Sequence, residues 1–477
     1  MSTCQTRPIA ELESVSRRQI LQAGVAAATG AAMCSRMARA SESAASGKLS
    51  FGRTKHVVHI YLHGGAPTQD MWDLKPNAPV EIRGEFKPVA TSASGIQICE
   101  HLPKTAKWMH KAAIVRSVHH RAGCHNCLPS FTGSEQPVDI NLPVPLETNP
   151  PGMGAICEYL KPAEIELPHY VALPTWLGWG FILKRPGPWG GFLGSRFDPL
   201  QSSYEPVQNK EVPKDRQPVW VGAPKLAASE LPKDISIERL GGRRELLTSL
   251  DAEGAAGGAR AESIRRNWRK AYGLLAEPQL KAAFDIAKES DKVRETYGSH
   301  LWGSSALVAR RLIETGVKFI DLYFDGYSYR VNTGFDTYWD THSKNFEQLK
   351  KGNLPMFDQA FDALVGDLDA RGLLDETLIV VSSDFGRTPR INGSAGRDHW
   401  TDCYSVLFAG AGIRGGTLCG ASDAHAAYVK ERPTRPADVC ATIFHLLGID
   451  PEMTVQDRVG RPIPIAHGGA AIGEILV

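Results

Sequence analysis

The chain has 477 residues, with 54 basic against 52 acidic side chains and 42% hydrophobic residues. Charges so nearly balanced exclude nucleic acid or an anionic membrane surface as the main partner. Of nine cysteines, Cys4 and Cys34 lie near the start, and the seven that remain are an odd number, so no complete disulfide framework is implied.

The first feature in chain order is Ser16-Arg17-Arg18-Gln19-Ile20-Leu21, followed by an uncharged, small-residue run from Ala23 to Cys34 and by Ala38-Arg39-Ala40. Paired arginines before a weakly apolar segment, with a small-x-small cleavage site, read as a twin-arginine export signal over residues 1–40. The run is too short and too rich in Ala and Gly to span about 30 Å of hydrocarbon. A periplasmic or secreted protein with no membrane insertion after processing is expected. Residues 41–54 read as a linker, and 55–477 as one folded domain.

That domain opens with the β-branched run Val57-Val58-His59-Ile60-Tyr61-Leu62, which stops at His63-Gly64-Gly65. Such runs are the signature of strands buried on both faces in a parallel sheet. Further strands are predicted at Ala113–Val118, Tyr170–Leu173, Val317–Leu322, Leu378–Ser382 and Val406–Ala409. Between them, Leu354, Phe357, Phe361, Leu364 and Leu368 step by three and four, the apolar face of one helix, with Gly372 placed as its C-terminal stop. Ala306, Ala309 and Ile313 before Gly316, and Val439, Ile443, Leu446 and Leu447 before Gly448, repeat the arrangement. Strands alternating with helices predict an α/β fold, a doubly wound and mostly parallel sheet. From about 175 to 275 the pattern dissolves into Pro-, Gly- and charge-rich sequence, read as a long irregular insertion over the sheet.

Open parallel sheets bind ligands beyond the carboxyl ends of their strands. The residues after the strands are here unusually polar. They are His63, Asp70 and Asp73; then His119, His120, Cys124, His125 and Cys127, with Ser130 and Thr132 following; then, well after the fourth strand, Asp340 and His342; then Asp384 and Arg387, with Asp398 and His399 in the next loop. Carboxylates and imidazoles gathered at one sheet edge suit a divalent cation. Arg387 could add a planar fork of donors for an oxyanion, or pair with Asp398 and tie two loops together. Cys124-x-x-Cys127 could be a redox pair or a disulfide.

Three stretches also carry a resemblance. Asp340-Thr341-His342 with Asn345, then Ser383-Asp384-Phe385-Gly386-Arg387-Thr388-Pro389, then Gly396-Arg397-Asp398-His399-Trp400 resemble the signature of the DUF1501 family, exported bacterial proteins related to alkaline phosphatases and sulfatases. The likeness extends to His63-Gly64-Gly65-Ala66-Pro67 and to Pro436-Ala437-Asp438. It implies an alkaline-phosphatase-like domain with one or two divalent ions, such as Zn, Mn, Ca or Mg. The metal ligands it implies are Asp384, Asp340, His342 and His399, with His63 where relatives usually carry an Asp. The superfamily's second ligand beside Asp384 is replaced by Phe385. The nucleophile stays open among Cys127, Ser130 and Thr132. The resulting expectation is an exported metal-dependent hydrolase of sulfate or phosphate esters, acting on a small-molecule or polysaccharide ester. The alternative is a non-catalytic exported binding protein that kept the fold.

Overall fold

The computed structural model describes residues 50–477 apart from 124, 143–145, 161–166, 180–182, 206, 210–218, 227–237, 240, 244, 247–248, 250–276 and 326–338. The twin-arginine segment, most of the 41–54 linker and Cys124 lie outside the described residues. Residues 50–54, expected as linker, already pack on the domain: Ser50 Oγ stands 3.1 Å from His445 Nε2, and Thr54 N–H donates to Leu446 O at 2.9 Å.

Among the described residues, nine strands form the central sheet. They are β1 (His56–Leu62), β2 (Ala112–Val118), β3 (Tyr170–Leu173), β4 (Leu200–Ser203), β5 (Lys225–Leu226), β6 (Phe319–Phe324), β7 (Thr377–Ser383), β8 (Tyr404–Gly410) and β9 (Thr417–Cys419). Their order across the sheet is β5-β4-β3-β6-β1-β7-β8-β2-β9. Pairings from β4 through β7 are parallel, as is β2 with β9, whereas β8 runs against both β7 and β2. The sheet is therefore mixed but mostly parallel. Its one reversed central strand matters, because β8 starts at the edge where its neighbours end.

Both faces are covered, as a doubly wound sheet requires. Val58, Ile60 and Leu62 of β1 pack toward helices α3 (Leu301–Glu314) and α4 (Leu354–Ala370), whose apolar stripes are buried. The opposite face, with Val57, Phe319 and Val380, packs against α2 (Met153–Leu160) and α5 (Pro436–Leu446). A fifth helix, the five-residue α1 (Leu128–Thr132), follows β2.

Two strands of the main sheet lie inside the stretch read as an insertion over it. β4 pairs parallel with β3, and β5 pairs antiparallel with β4. Both are short and polar at the sheet's edge, so Leu-Gln-Ser-Ser and Lys-Leu lack the apolar run that marks a central strand.

Candidate metal centre

The polar groups of the site come from strand ends and from the loops that follow them. β1 hands over at His63, then turns sharply at Gly64 and Gly65, with φ of +113° and +96°. Those glycines do two jobs. They adopt backbone angles that side-chain-bearing residues rarely take, and they leave room for neighbours. A Cβ on Gly64 would lie 2.5 Å from Asp340 N, and one on Gly65 would lie 2.7 Å from the Phe385 ring. The turn thus lets the segment carrying Asp340 come down on β1, where Trp339 N–H donates to His63 O at 3.0 Å. β7 ends at Asp384, whose Oδ1 accepts from Gly64 N–H at 2.9 Å and from the Ser383 hydroxyl at 3.1 Å. The loop after β2 supplies His125, held at φ +46°, a left-handed conformation uncommon outside Gly that marks functional turns. A small hairpin, Gly386–Arg387 against His399–Trp400, leads into the reversed strand β8 and so brings His399 to the same edge.

The resulting cluster is tight. His125 stands between two carboxylates, Nδ1 at 2.7 Å from Asp384 Oδ2 and Nε2 at 3.3 Å from Asp340 Oδ2. His399 Nε2 lies 3.0 Å from Asp340 Oδ1 and 3.0 Å from His342 Nε2. His342 Nε2 is in turn 3.1 Å from Asp340 Oδ1. Ligand atoms of His63, His125 and Asp384, and of His125, Asp340 and His399, all fall within 4.8 Å of one another in each group. Donors about 2.0–2.2 Å from one ion at tetrahedral angles stand about 3.3–3.5 Å apart. Most contacts here are hydrogen bonds of 2.7–3.1 Å, so a shared cation would spread these groups by a few tenths of an ångström.

Outer partners fix which nitrogens point inward. His63 Nδ1 faces Asp325 Oδ1 at 2.9 Å, with both side chains fully buried. A carboxylate only accepts, so Nδ1 carries a proton, and a His63 that binds a cation would do so through Nε2. That Nε2 is buried, with no hydrogen-bond partner among the described residues. His342 follows the same plan: Nδ1 meets Asp398 Oδ1 at 2.6 Å, leaving Nε2 toward His399. A carboxylate behind an imidazole is the usual support of a metal-ligating histidine. A buried, bare imidazole nitrogen is costly unless something completes it. The donor set therefore fits a divalent ion.

Electrostatics agree. Burial opposes the charged form of Asp384, yet the His125 hydrogen bond and charge, His63 and the Gly64 N–H outweigh it and hold the carboxyl well below its ordinary range. Burial is likewise outweighed at Asp340 by hydrogen bonds from His125 and His399 and by the Arg387 charge. At His125, burial is overcome by the Asp340 and Asp384 bonds, which push its pKa up. Burial, assisted by the Arg387 and His125 charges and opposed by the Asp340 hydrogen bond, lowers that of His399.

Arg387 takes a different role from the one its sequence position implied. Its side chain is fully buried, and its fork is committed inward. Nε donates to Gly65 O at 2.9 Å, one terminal nitrogen to Arg397 O at 3.0 Å, and the other to both Gly64 O and Asp340 Oδ1. It clamps the glycine turn to Asp340 and has no open face for an oxyanion. Neither does it pair with Asp398, which is taken by His342.

The three nucleophile candidates are committed as well. Ser130 Oγ–H donates to Ser383 O at 2.7 Å and Thr132 Oγ1–H to Leu128 O at 2.8 Å. Cys127 is fully buried, and burial together with the Asp384 charge drives its thiol pKa strongly upward, away from thiolate chemistry. The expectation of a free attacking group on α1 is not met: both hydroxyls are spent on backbone carbonyls.

The structure thus brings His63, Asp340, His342, Asp384 and His399 together, and adds His125 and Asp325. His125 was visible only as one of several histidines after β2; nothing in the spacing set it apart from His119 or His120. Asp325 follows β6 at the register position opposite His63, four residues beyond the His59↔Asp321 pair. That match could have been found by aligning the two strands.

A family model described as "Protein of unknown function (DUF1501)" matches residues 54–476. Solved structures similar to this chain include a sulfatase from Pseudoalteromonas sp., at 13% identity over 92% of this chain and 77% of that one, with a TM-score of 0.37. A protein in the alkaline phosphatase superfamily from Vibrio parahaemolyticus matches at 9% identity over 90% and 71%, TM-score 0.34. A lipoteichoic acid synthase from Listeria monocytogenes matches at 10% identity over 90% and 78%, TM-score 0.34. Likenesses at these scores carry no argument about activity. No curated protein matches the chain.

Proposed function

Because this chain belongs to the DUF1501 family, and because its strand ends converge on one acid–imidazole cluster, we propose that it is an exported, metal-dependent hydrolase of phosphate or sulfate esters. The observation that carries the reading is the bare, buried Nε2 of His63, backed by Asp325 and aimed into a group shared with His125 and Asp384. His63, His125 and Asp384, with Asp340, His399 and His342 beside them, would hold the ion. A nitrogen-rich set of this kind favours Zn²⁺ over Mn²⁺, Ca²⁺ or Mg²⁺, which prefer oxygen donors. When bound, such an ion supplies Lewis-acid polarisation of a phosphoryl or sulfuryl oxygen and promotes ionisation of an attacking water.

The chain's own residues do the rest. Asp325 and Asp398 orient His63 and His342 through their Nδ1 protons. Arg387 keeps Asp340 ionised and holds the glycine turn in place. His342, at 46% exposed, is the most open of the group and so marks the solvent side from which an ester would approach. With Ser130 and Thr132 committed, attack by water rather than by a side chain is the consistent route.

One observation favours the second reading, a binding protein without turnover. Phe385 fills the position of a second-ion ligand and packs its ring 4.4 Å from His399 and 5.2 Å from His125. Cleavage of 4-nitrophenyl phosphate and 4-nitrophenyl sulfate by Zn²⁺- or Mn²⁺-loaded protein separates the two. Turnover that vanishes in Asp384→Ala supports the hydrolase; stoichiometric ion binding with no turnover supports the binding protein.

A further inference from the structure

Away from the cluster, a cavity of ≈ 240 Å³ opens between the 146–150 segment and the 184–198 segment. That is room for about eight waters, or one sugar-sized group. Its wall carries Lys184, whose ammonium lies 4.7 Å from the centre of the Trp189 ring and 5.9 Å from that of Trp176. Two indoles so placed attract the cation and shield it from water. Among the described residues the Lys184 ammonium makes no ion pair and no hydrogen bond, only these two ring contacts. The two carboxylates on the wall are engaged elsewhere: Glu147 pairs with Arg458, and Asp198 accepts from Gly190 N–H at 2.7 Å.

Other donors are also open. Asn149 uses its Oδ1 to accept from Gln136 at 3.5 Å, which leaves its amide N–H groups without a partner among the described residues. The Ser195 hydroxyl has none there either. Leu146, Pro150 and the Trp189 ring supply apolar surface beside these donors. An ammonium, an amide and a hydroxyl seeking acceptors, next to an apolar wall, describe a ligand that is anionic, rich in oxygen and faced on one side by C–H groups. We propose that this cavity binds an acidic monosaccharide unit, its carboxylate or sulfate on Lys184, its hydroxyls on Asn149 and Ser195, and its C–H face on the indole. The site stands independently of the cation cluster and of the activity proposed for it.

The test is titration calorimetry of the full chain, stripped of divalent ions by a chelator and dialysed, with glucuronate, glucose 6-sulfate, glucose and inorganic sulfate. Glucuronate or glucose 6-sulfate is expected to bind saturably, at least tenfold more tightly than glucose or inorganic sulfate. Lys184→Met should weaken that binding at least tenfold, while Lys184→Arg, which keeps the charge, stays within about threefold and controls for folding. No saturable binding of either acidic sugar, equal affinity in wild type and Lys184→Met, or binding that depends on added Zn²⁺ would each overturn the assignment. Inorganic sulfate binding as tightly as the sugars would reduce the cavity to an adventitious ion only, and would overturn it too.

Discussion

His63 and Asp325 meet at 2.9 Å through Nδ1 and Oδ1, both wholly buried, and this single contact decides which nitrogen of His63 faces Asp384. Removing the carboxylate frees the imidazole to rotate or to move its proton to Nε2. Outer partners of this type change metal affinity by about 10–100-fold. Asp325→Ala is therefore expected to weaken Zn²⁺ or Mn²⁺ binding by about that factor, measured by competition with a chromophoric chelator. Asp325→Asn, which can still accept from Nδ1–H, should fall between. Equal affinity in all three proteins would remove Asp325 from the site.

Arg387 acts as a clamp, and its variants should behave accordingly. Arg387→Ala leaves Gly64 O, Gly65 O, Arg397 O and Asp340 without their donor. Breaking a buried pair from one side costs about 3–5 kcal/mol. A drop of that order in urea-unfolding stability is expected, together with weaker ion binding. Arg387→Lys should recover little, because one ammonium cannot reach three carbonyls and a carboxylate in a plane. Unchanged stability with a selective loss of vanadate affinity would instead restore the oxyanion-binding role.

Strands and helices were legible because burial on two faces leaves long apolar runs. Val57–Leu62 and Leu378–Ser382 lie within β1 and β7, and Leu354, Phe357, Phe361, Leu364 and Leu368 are all buried on α4. The glycine stops held too, with Gly316, Gly372 and Gly448 at φ of +96°, +70° and +71°. The edge strands β4 and β5 were not legible, since two to four residues with polar members carry no period. At the site, strand-end position pointed to Asp384, whereas Asp340 and His399, which lie away from the ends of the central strands, were collected through the motif resemblance. The direction of each side chain was not in the sequence: Arg387 and Ser130 stand where a reactive group could be, and only their hydrogen bonds show them turned to backbone carbonyls.

Below the cluster, β1 and β6 repeat the same pairing one step deeper. His59 Nδ1 lies 2.9 Å from Asp321 Oδ1, His59 Nε2 lies 2.7 Å from Ser382 Oγ, and the Tyr170 hydroxyl donates to Asp321 Oδ2. Every member is buried, so the network is satisfied only as a whole. Asp321→Ala should cost about 3–5 kcal/mol by stranding His59 and Tyr170. Tyr170→Phe, which removes one donor, should cost about 1–3 kcal/mol. Urea unfolding followed by tryptophan fluorescence reads both, and a near-neutral Asp321→Ala would contradict the reading of Asp321 as the hub.

The account rests most heavily on the cluster of His63, His125, Asp340, Asp384 and His399 being a cation site. Calorimetric titration of chelator-stripped protein with Zn²⁺ and with Mn²⁺ addresses this directly. About one ion per chain is expected, because the two ligand groups share His125. In Asp384→Ala the affinity should fall at least tenfold, with far-ultraviolet circular dichroism unchanged. No saturable uptake by wild type, or uptake that is the same in wild type and in the His63→Ala, Asp384→Ala double variant, would contradict the central claim.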